Sequence, residues 1–259
     1  MQKEKIRLDQ LLVERGFCED IKKAESLILS GSVIIENQKV TKKGFLFPKN
    51  SKIEILEKIP RIVSRAGEKL EYALKFFQLD VSGKTCLDFG ASTGGFTQVL
   101  LERGAKNIFA FDVGYGQIAG KLRNDNRVTI KDKFNVKNIT EKDFSLDGNE
   151  LVIVMDLSFI SLLAIFPSIF KIKKNLPKVR FEIISLIKPQ FECAPNLLEK
   201  GIVKKKGVHF KVIRKICNSI KKDYLGKIHG LCESPILGRK GNKEFFLYWS
   251  MDSKFTTTP

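Results

Sequence analysis

Apolar residues follow two patterns along the chain, and the pattern changes near residue 60. Before it, Ile6, Leu8, Leu11, Leu12 and Val13 form a helical stripe that Gly16 ends. Ile21, Ala24, Leu27 and Ile28 form a second stripe, opened by Asp20 as N-cap and stopped by Gly31. Residues 33–35, a turn at Asn37-Gln38, Val40 and residues 53–55 then read as short strands. Together they predict a small α+β unit over residues 1–58. Pro60 lacks a backbone donor and disfavours helix at Ile59, which places a linker over residues 59–63.

From residue 64 to residue 259 the pattern is different. Largely apolar runs at 85–89, 108–112, 128–130, 151–155, 181–187 and 245–249 alternate with helical spacing at 96–103, 166–174 and 208–222. Apolar runs without a polar alternation are expected of strands buried on both faces of a parallel sheet. The prediction is an α/β, Rossmann-like open sheet, whose sites form at the carboxyl ends of its strands.

Charge narrows the class of partner. The 259 residues hold 46 Lys and Arg against 29 Asp and Glu, a formal charge of +17 that favours a polyanion such as nucleic acid. The surplus is uneven: residues 1–60 carry 12 basic and 9 acidic residues, residues 171–227 carry 16 and 4. The first ten residues are too charged for a secretory leader. The longest apolar run, 151–166, falls short of the roughly 20 residues of a membrane span and contains Asp156. Five cysteines without a C-x-x-C pair argue against a disulfide framework or a zinc site, and His209 and His229 lack metal-ligand spacing. A reducing cytoplasm, with no membrane and no metal, fits best.

The strand ends carry the candidate chemistry. The first opens into Asp88-Phe89-Gly90-Ala91-Ser92-Thr93-Gly94-Gly95-Phe96, a glycine-rich turn that is neither G-x-G-x-x-G nor a P-loop, which disfavours a pyrophosphate cofactor. Asp112, 24 residues after Asp88, is placed to accept both hydroxyls of a ribose. S-adenosylmethionine has a ribose and no diphosphate, and its cationic groups suit acidic neighbours. Gly90, Gly94 and Gly95 would let the backbone approach its methionine part; the alternative is an ordinary tight turn. Lys69, Asp156, Lys188 and Glu244 add a second polar set, each of which alone would read as a solvated side chain.

Two resemblances join these observations. Arg7-Leu8-Asp9-Gln10-Leu11-Leu12-Val13-Glu14-Arg15-Gly16, with Ala24, Leu27-Ile28, Gly31 and Val33, resembles the alpha-L RNA-binding module of a small-subunit ribosomal protein and of pseudouridine synthases. Asp20-Ile21 stands where that family often has Ser-Arg, and Asn37-Gln38 where it has Asn-Gly. Val63-Ser64-Arg65, Lys69-Leu70, the Asp88 to Thr97 turn, Asp112-Val113-Gly114-Tyr115-Gly116-Gln117, Asp156-Leu157-Ser158-Phe159-Ile160-Ser161-Leu162, Leu186-Ile187-Lys188-Pro189-Gln190-Phe191-Glu192 and Gly241-Asn242-Lys243-Glu244 resemble the TlyA, or hemolysin A, family of ribosomal RNA methyltransferases. Ala66, Glu68 and Ile62 are modest departures from its pattern.

The second resemblance implies an FtsJ-like methyltransferase domain that transfers methyl from S-adenosylmethionine to a cytidine 2′-hydroxyl in ribosomal RNA. It places a catalytic tetrad on Lys69, Asp156, Lys188 and Glu244. Its cofactor site falls on Asp88, Gly90, Ala91, Ser92, Thr93, Gly94, Gly95, Phe96, Asp112, Val113 and Asp156. Arg7, Arg15, Lys22, Lys23 and Arg65 are the implied RNA contacts, and ribosomal RNA or ribosomal subunits the implied partners. The short start before Arg7 resembles members that act on the large subunit, and no oligomeric state is implied. A ribose hydroxyl is a weak acid and needs a base close by, and a lysine serves only where burial and a second cation disfavour its ammonium form. Lys188 is the expected base. Phe89, Phe96, Phe134, Phe159 and Phe191 adjoin the motifs and are candidates to stack on a base, with core packing expected for most of them. A membrane-active hemolysin, a non-catalytic assembly factor and a nicotinamide dehydrogenase are the rival readings.

Overall fold

The computed structural model describes residues 5–55 and 64–252, so the expected linker at 59–63 lies outside the described residues. The chain divides into two compact units, Met1–Arg61 and Ile62–Pro259.

In the first unit, β1 (Lys5–Arg7) leads into α1 (Leu8–Glu14) and α2 (Ile21–Leu29), followed by β2 (Val33–Ile35), β3 (Gln38–Val40), β4 (Leu46–Pro48) and β5 (Ile53–Ile55). Asp20 caps α2 as expected, accepting from the Lys23 N–H (2.8 Å). The core is the predicted stripes seen edge on, with Leu8, Leu12, Ala24 and Ile28 packed on Val33 and Ile35. Two expectations change. Ile6 belongs to β1, paired with Phe47, rather than to the helical stripe. The hairpin turn is Glu36-Asn37, both at positive φ (47° and 66°), because Ile35 pairs with Gln38 and a two-residue loop must twist that way.

The second unit is α3 (Arg65–Phe77), β6 (Thr85–Phe89), α4 (Gly95–Glu102), β7 (Asn107–Phe111), α5 (Gly120–Arg123), β8 (Val128–Lys131), β9 (Glu150–Met155), α6 (Phe166–Asn175), β10 (Arg180–Ile187), α7 (Pro189–Glu192), α8 (Lys206–Asp223), β11 (Lys227–Glu233) and β12 (Phe245–Met251). Its seven strands lie in the order β11-β12-β10-β9-β6-β7-β8. All are parallel except β12, which runs against both β10 and β11. The predicted α/β open sheet is therefore what forms, with one antiparallel strand inserted near an edge.

Strand pleating sorts the side chains into two layers. Leu87, Phe89, Ile153, Met155, Ile183 and Ile187 pack with α6 and α8 on one face. Cys86, Ala110, Val152, Val154, Ile184 and Leu186 pack with α3, α4 and α5 on the other. Asp88 shares the register of Cys86, and Asp112, Asp156, Lys188 and Glu244 follow the same alternation one step past the ends of β7, β9 and β10 and before β12. All five polar residues thus belong to the α3/α4 face. The chain leaves β6 towards β7 on one side and returns to its other side at β9, so the crevice at their carboxyl ends is the topological switch point.

Candidate active site

The glycine-rich turn is shaped by what presses on it. Gly90 has φ +88°, and a Cβ there would sit 2.7 Å from the Asp156 carbonyl oxygen, so a glycine lets the ends of β6 and β9 close on one another. A Cβ on Gly95 would overlap Ser64 Oγ at the start of α3, and one on Gly94 would overlap the Leu122 side chain. The space beside Gly90, Gly94 and Gly95 is filled by the protein itself, which gives each of these glycines a packing reason of its own. Ala91 is buried, Ser92 half-buried and Thr93 exposed along the turn. Phe96 is buried against Phe246, with ring centroids 6.4 Å apart, so its ring cannot face a ligand and only its backbone belongs to the turn.

Two carboxylates flank the turn. Asp88 is fully buried; Thr97 Oγ1 donates to its Oδ2 (2.6 Å), while Oδ1 has no hydrogen-bond partner among the described residues. Burial pushes its carboxyl up to about 7, opposed by the Thr97 hydrogen bond and reinforced by Asp156 and Asp112. Asp112 is half-buried and accepts the Ser92 N–H (2.8 Å) and the Gly114 N–H (2.7 Å), which fixes both oxygens at the mouth of the turn. Val113 beside it is 73% exposed, an apolar side chain open at the mouth of the turn.

The second polar set consists of two ion pairs. Lys69, carried by α3, donates to Glu244 Oε2 (2.6 Å), with both side chains almost fully buried. Lys188 Nζ lies 2.6 Å from Asp156 Oδ1, an ion pair without hydrogen-bond direction, and donates to Ser158 Oγ (2.9 Å). The register explains their convergence. Ile187 pairs with Phe245 and Ser185 with Met155, which sets Lys188, Glu244 and Asp156 on three adjacent strand ends.

Sequence reasoning assigned no role to Glu192 or Ser161. Glu192 accepts from Ser161 Oγ (2.5 Å) and the Leu162 N–H (2.7 Å), tying the loop that follows Asp156 to the segment that follows Lys188. Burial holds its carboxyl above the usual range. Between the two segments Phe159 is 91% exposed with φ +64°, an outlier for a bulky residue, and its ring lies 5.1 Å from Phe191. Lys188 Nζ is 5.9 Å from the Phe191 ring centre. Of the five phenylalanines named above, Phe89 and Phe96 are core and Phe134 packs against it, leaving Phe159 and Phe191 at the site.

The basic residues expected to meet RNA have partners of their own. Arg7 makes two hydrogen bonds to the buried Asp9 (2.6 and 3.1 Å), which hold that carboxyl below its usual range. Arg15 donates to the Ser51 carbonyl (2.7 Å), Lys23 is paired with Glu19, and Arg65 reaches the Leu237 carbonyl at 3.5 Å. Lys22 is exposed. Among the described residues no cluster of His, Cys, Asp or Glu could hold a metal ion, and no helix is long and apolar enough to cross a membrane.

Residues 62–251 match the FtsJ-like methyltransferase family. The chain belongs to that family. It is also 41% identical to hemolysin A of Brachyspira hyodysenteriae over 94% of this chain and 99% of that protein. The 16S/23S rRNA (cytidine-2′-O)-methyltransferase TlyA of Mycobacterium tuberculosis is 36% identical, covering 93% of this chain and 88% of its own length. A solved structure of a hemolysin candidate from Streptococcus thermophilus superposes with a TM-score of 0.69 and 34% identity, over 96% of this chain and 90% of that one. The family resemblance read from the motifs is borne out, and it extends beyond the methyltransferase sheet to the first unit. FtsJ-like methyltransferases use S-adenosylmethionine. The residues present fit it: a buried carboxylate oxygen without a donor, a second carboxylate at the mouth of the turn and an exposed apolar side chain beside it.

Proposed function

We propose that this chain is a ribosomal RNA methyltransferase that modifies the 2′-hydroxyl of a cytidine ribose in the cytoplasm. The observation that carries the reading is the Lys188–Asp156 pair, held by Ser158 at the switch-point crevice beside the exposed ring of Phe159. S-adenosylmethionine, when bound, supplies the electrophilic methyl group. Asp88 and Asp112 would hold its amino and ribose ends, with Gly90 to Gly95 forming the floor and Val113 the side of the adenine site.

Each member of the tetrad has a distinct task in this reading. Lys188 Nζ, having first released a proton to solvent, takes the proton of the ribose hydroxyl as that oxygen is alkylated and ends the step as the ammonium that Asp156 balances, so charge does not build up on a free alkoxide. Asp156 and Ser158 fix the amine's position, and the Lys69–Glu244 pair anchors α3 against the adjacent strand end. A base lifted out of an RNA stack leaves a flat apolar face, and Phe159, exposed and held in a left-handed backbone, is a ready platform for it. A bulky residue in that conformation costs about 1–2 kcal/mol, which favours a role for the ring where it stands. The first unit carries the RNA contacts from Arg7, Arg15, Lys22 and Lys23, with Arg65 supplying another.

The test incubates the purified chain with methyl-labelled S-adenosylmethionine and separate, unmethylated ribosomal subunits, then maps the label by ribose-methylation sequencing. Label at a cytidine ribose of the large subunit is the expected result. Transfer to neither subunit, with cofactor binding intact, would overturn the reading in favour of a non-catalytic assembly factor.

A further inference from the structure

Apart from Lys188, the basic residues of the charge-rich stretch 171–227 have no part in the mechanism. On α8, Lys211, Arg214, Lys215 and Lys222 recur three, four and seven residues apart and so form one stripe. They line a groove of about 520 Å³ whose far side includes Leu163. The stripe flanks the buried face of the helix, formed by Val208, Val212, Ile216 and Ile220, so it lies along the seam where α8 meets the rest of the domain. All four side chains are exposed, and none forms an ion pair among the described residues. Asp223, the one carboxylate among the described residues that line the groove, accepts from Ser219 Oγ (2.7 Å).

Four unpaired cations on about 16 Å of helix repel one another, a cost that a bound polyanion would remove. The groove is also joined to the catalytic edge. Leu163 follows Ser161 and Leu162, the two residues that Glu192 grips, and the charge of Lys215 is felt by the Glu192 carboxylate. A phosphate backbone lying in the groove would therefore pass beside the loop that starts at Asp156.

We propose that this groove is an RNA-binding surface of the methyltransferase domain, holding the phosphodiester backbone on the flank of the active site; the proposal rests on the ribosomal RNA reading given above. The contacts are to phosphates, so they add affinity and register without reading sequence.

The test compares the full chain with the triple variant Lys211→Ala/Arg214→Ala/Lys215→Ala and with a control, Lys178→Ala/Lys227→Ala, whose exposed lysines, one before β10 and one at the start of β11, do not line the groove. Binding to transcribed ribosomal RNA is measured by filter retention across a salt series. Lost phosphate contacts should lower affinity at least about tenfold near physiological salt and reduce the slope of log K against log salt by about 2. The control, the thermal midpoint and the affinity for S-adenosylmethionine should stay as in the parent. Unchanged RNA affinity and slope in a folded triple variant would overturn the proposal, as would loss confined to binding of anionic lipid vesicles. If the parent itself neither binds nor methylates ribosomal RNA, the functional reading falls and the groove proposal with it.

Discussion

The two halves of the catalytic edge are built differently. At the ends of β6 and β7 the site is local: nine consecutive residues, Asp88 to Phe96, with Asp112 tied back to them through the Ser92 N–H. At the ends of β9, β10 and β12 it is assembled from a distance, and Lys69 and Glu244 stand 175 residues apart. The first half holds its shape through backbone and glycine contacts, and the second through charges that neutralise one another. Damage should divide accordingly, with cofactor affinity tracking the first half and methyl transfer the second.

The sharpest division is expected from Lys188→Ala. Loss of the proton acceptor should lower the single-turnover rate by at least about 10³-fold, while calorimetry finds cofactor affinity within a few-fold of the parent. Comparable losses in both would merge the halves and undo the comparison. Next in size is Phe159→Ala, which should cut kcat/KM for RNA by roughly 10- to 100-fold, the usual worth of one stacked base. Because the ring is 91% exposed, its thermal midpoint should stay within a degree or two.

The first half answers through pH. The Asp88 carboxyl, pushed up to about 7, must be ionised to meet a cationic amino group, so cofactor affinity should rise about tenfold from pH 6 to pH 8. Asp88→Asn should flatten that rise. Folding gives the opposite sign. A carboxyl raised in the folded state contributes stability that is full below about pH 4 and lost as pH climbs through about 7, so the parent should lose more stability than Asp88→Asn over that window in the absence of cofactor. The smallest effect is expected from Ser158→Ala, which removes one hydrogen bond from Lys188 and should slow transfer only a few-fold, with no change in cofactor affinity.

The same contrast decides how much was legible in the sequence. Strands buried on both faces announce themselves as apolar runs, and β6, β9 and β10 lie within one residue of their expected places. The pattern reading omits β1 and β4, only three residues each, and β11, an edge strand whose mixture of Lys227, His229, Gly230 and Glu233 carries no apolar signature. The local half of the site is written as one motif, although its glycines turn out to relieve contacts with Asp156, Leu122 and Ser64. The distant half is legible only as polar residues at strand ends and through the family motifs, and the sheet order is what brings Asp156, Lys188 and Glu244 side by side. Their shared pleat register offered a signal: each polar residue falls on the α3/α4 face. The Glu192 clamp left none, because a carboxylate after a lysine-proline turn looks like any solvated residue.

The central claim is that the two halves meet on a ribose oxygen. It is tested most directly by nucleoside mass spectrometry of ribosomal RNA after a single turnover with the parent and with Lys188→Ala. The account predicts 2′-O-methylcytidine from the parent and none from the variant. A methyl group on the cytosine ring, or equal yields of 2′-O-methylcytidine from both proteins, would contradict it.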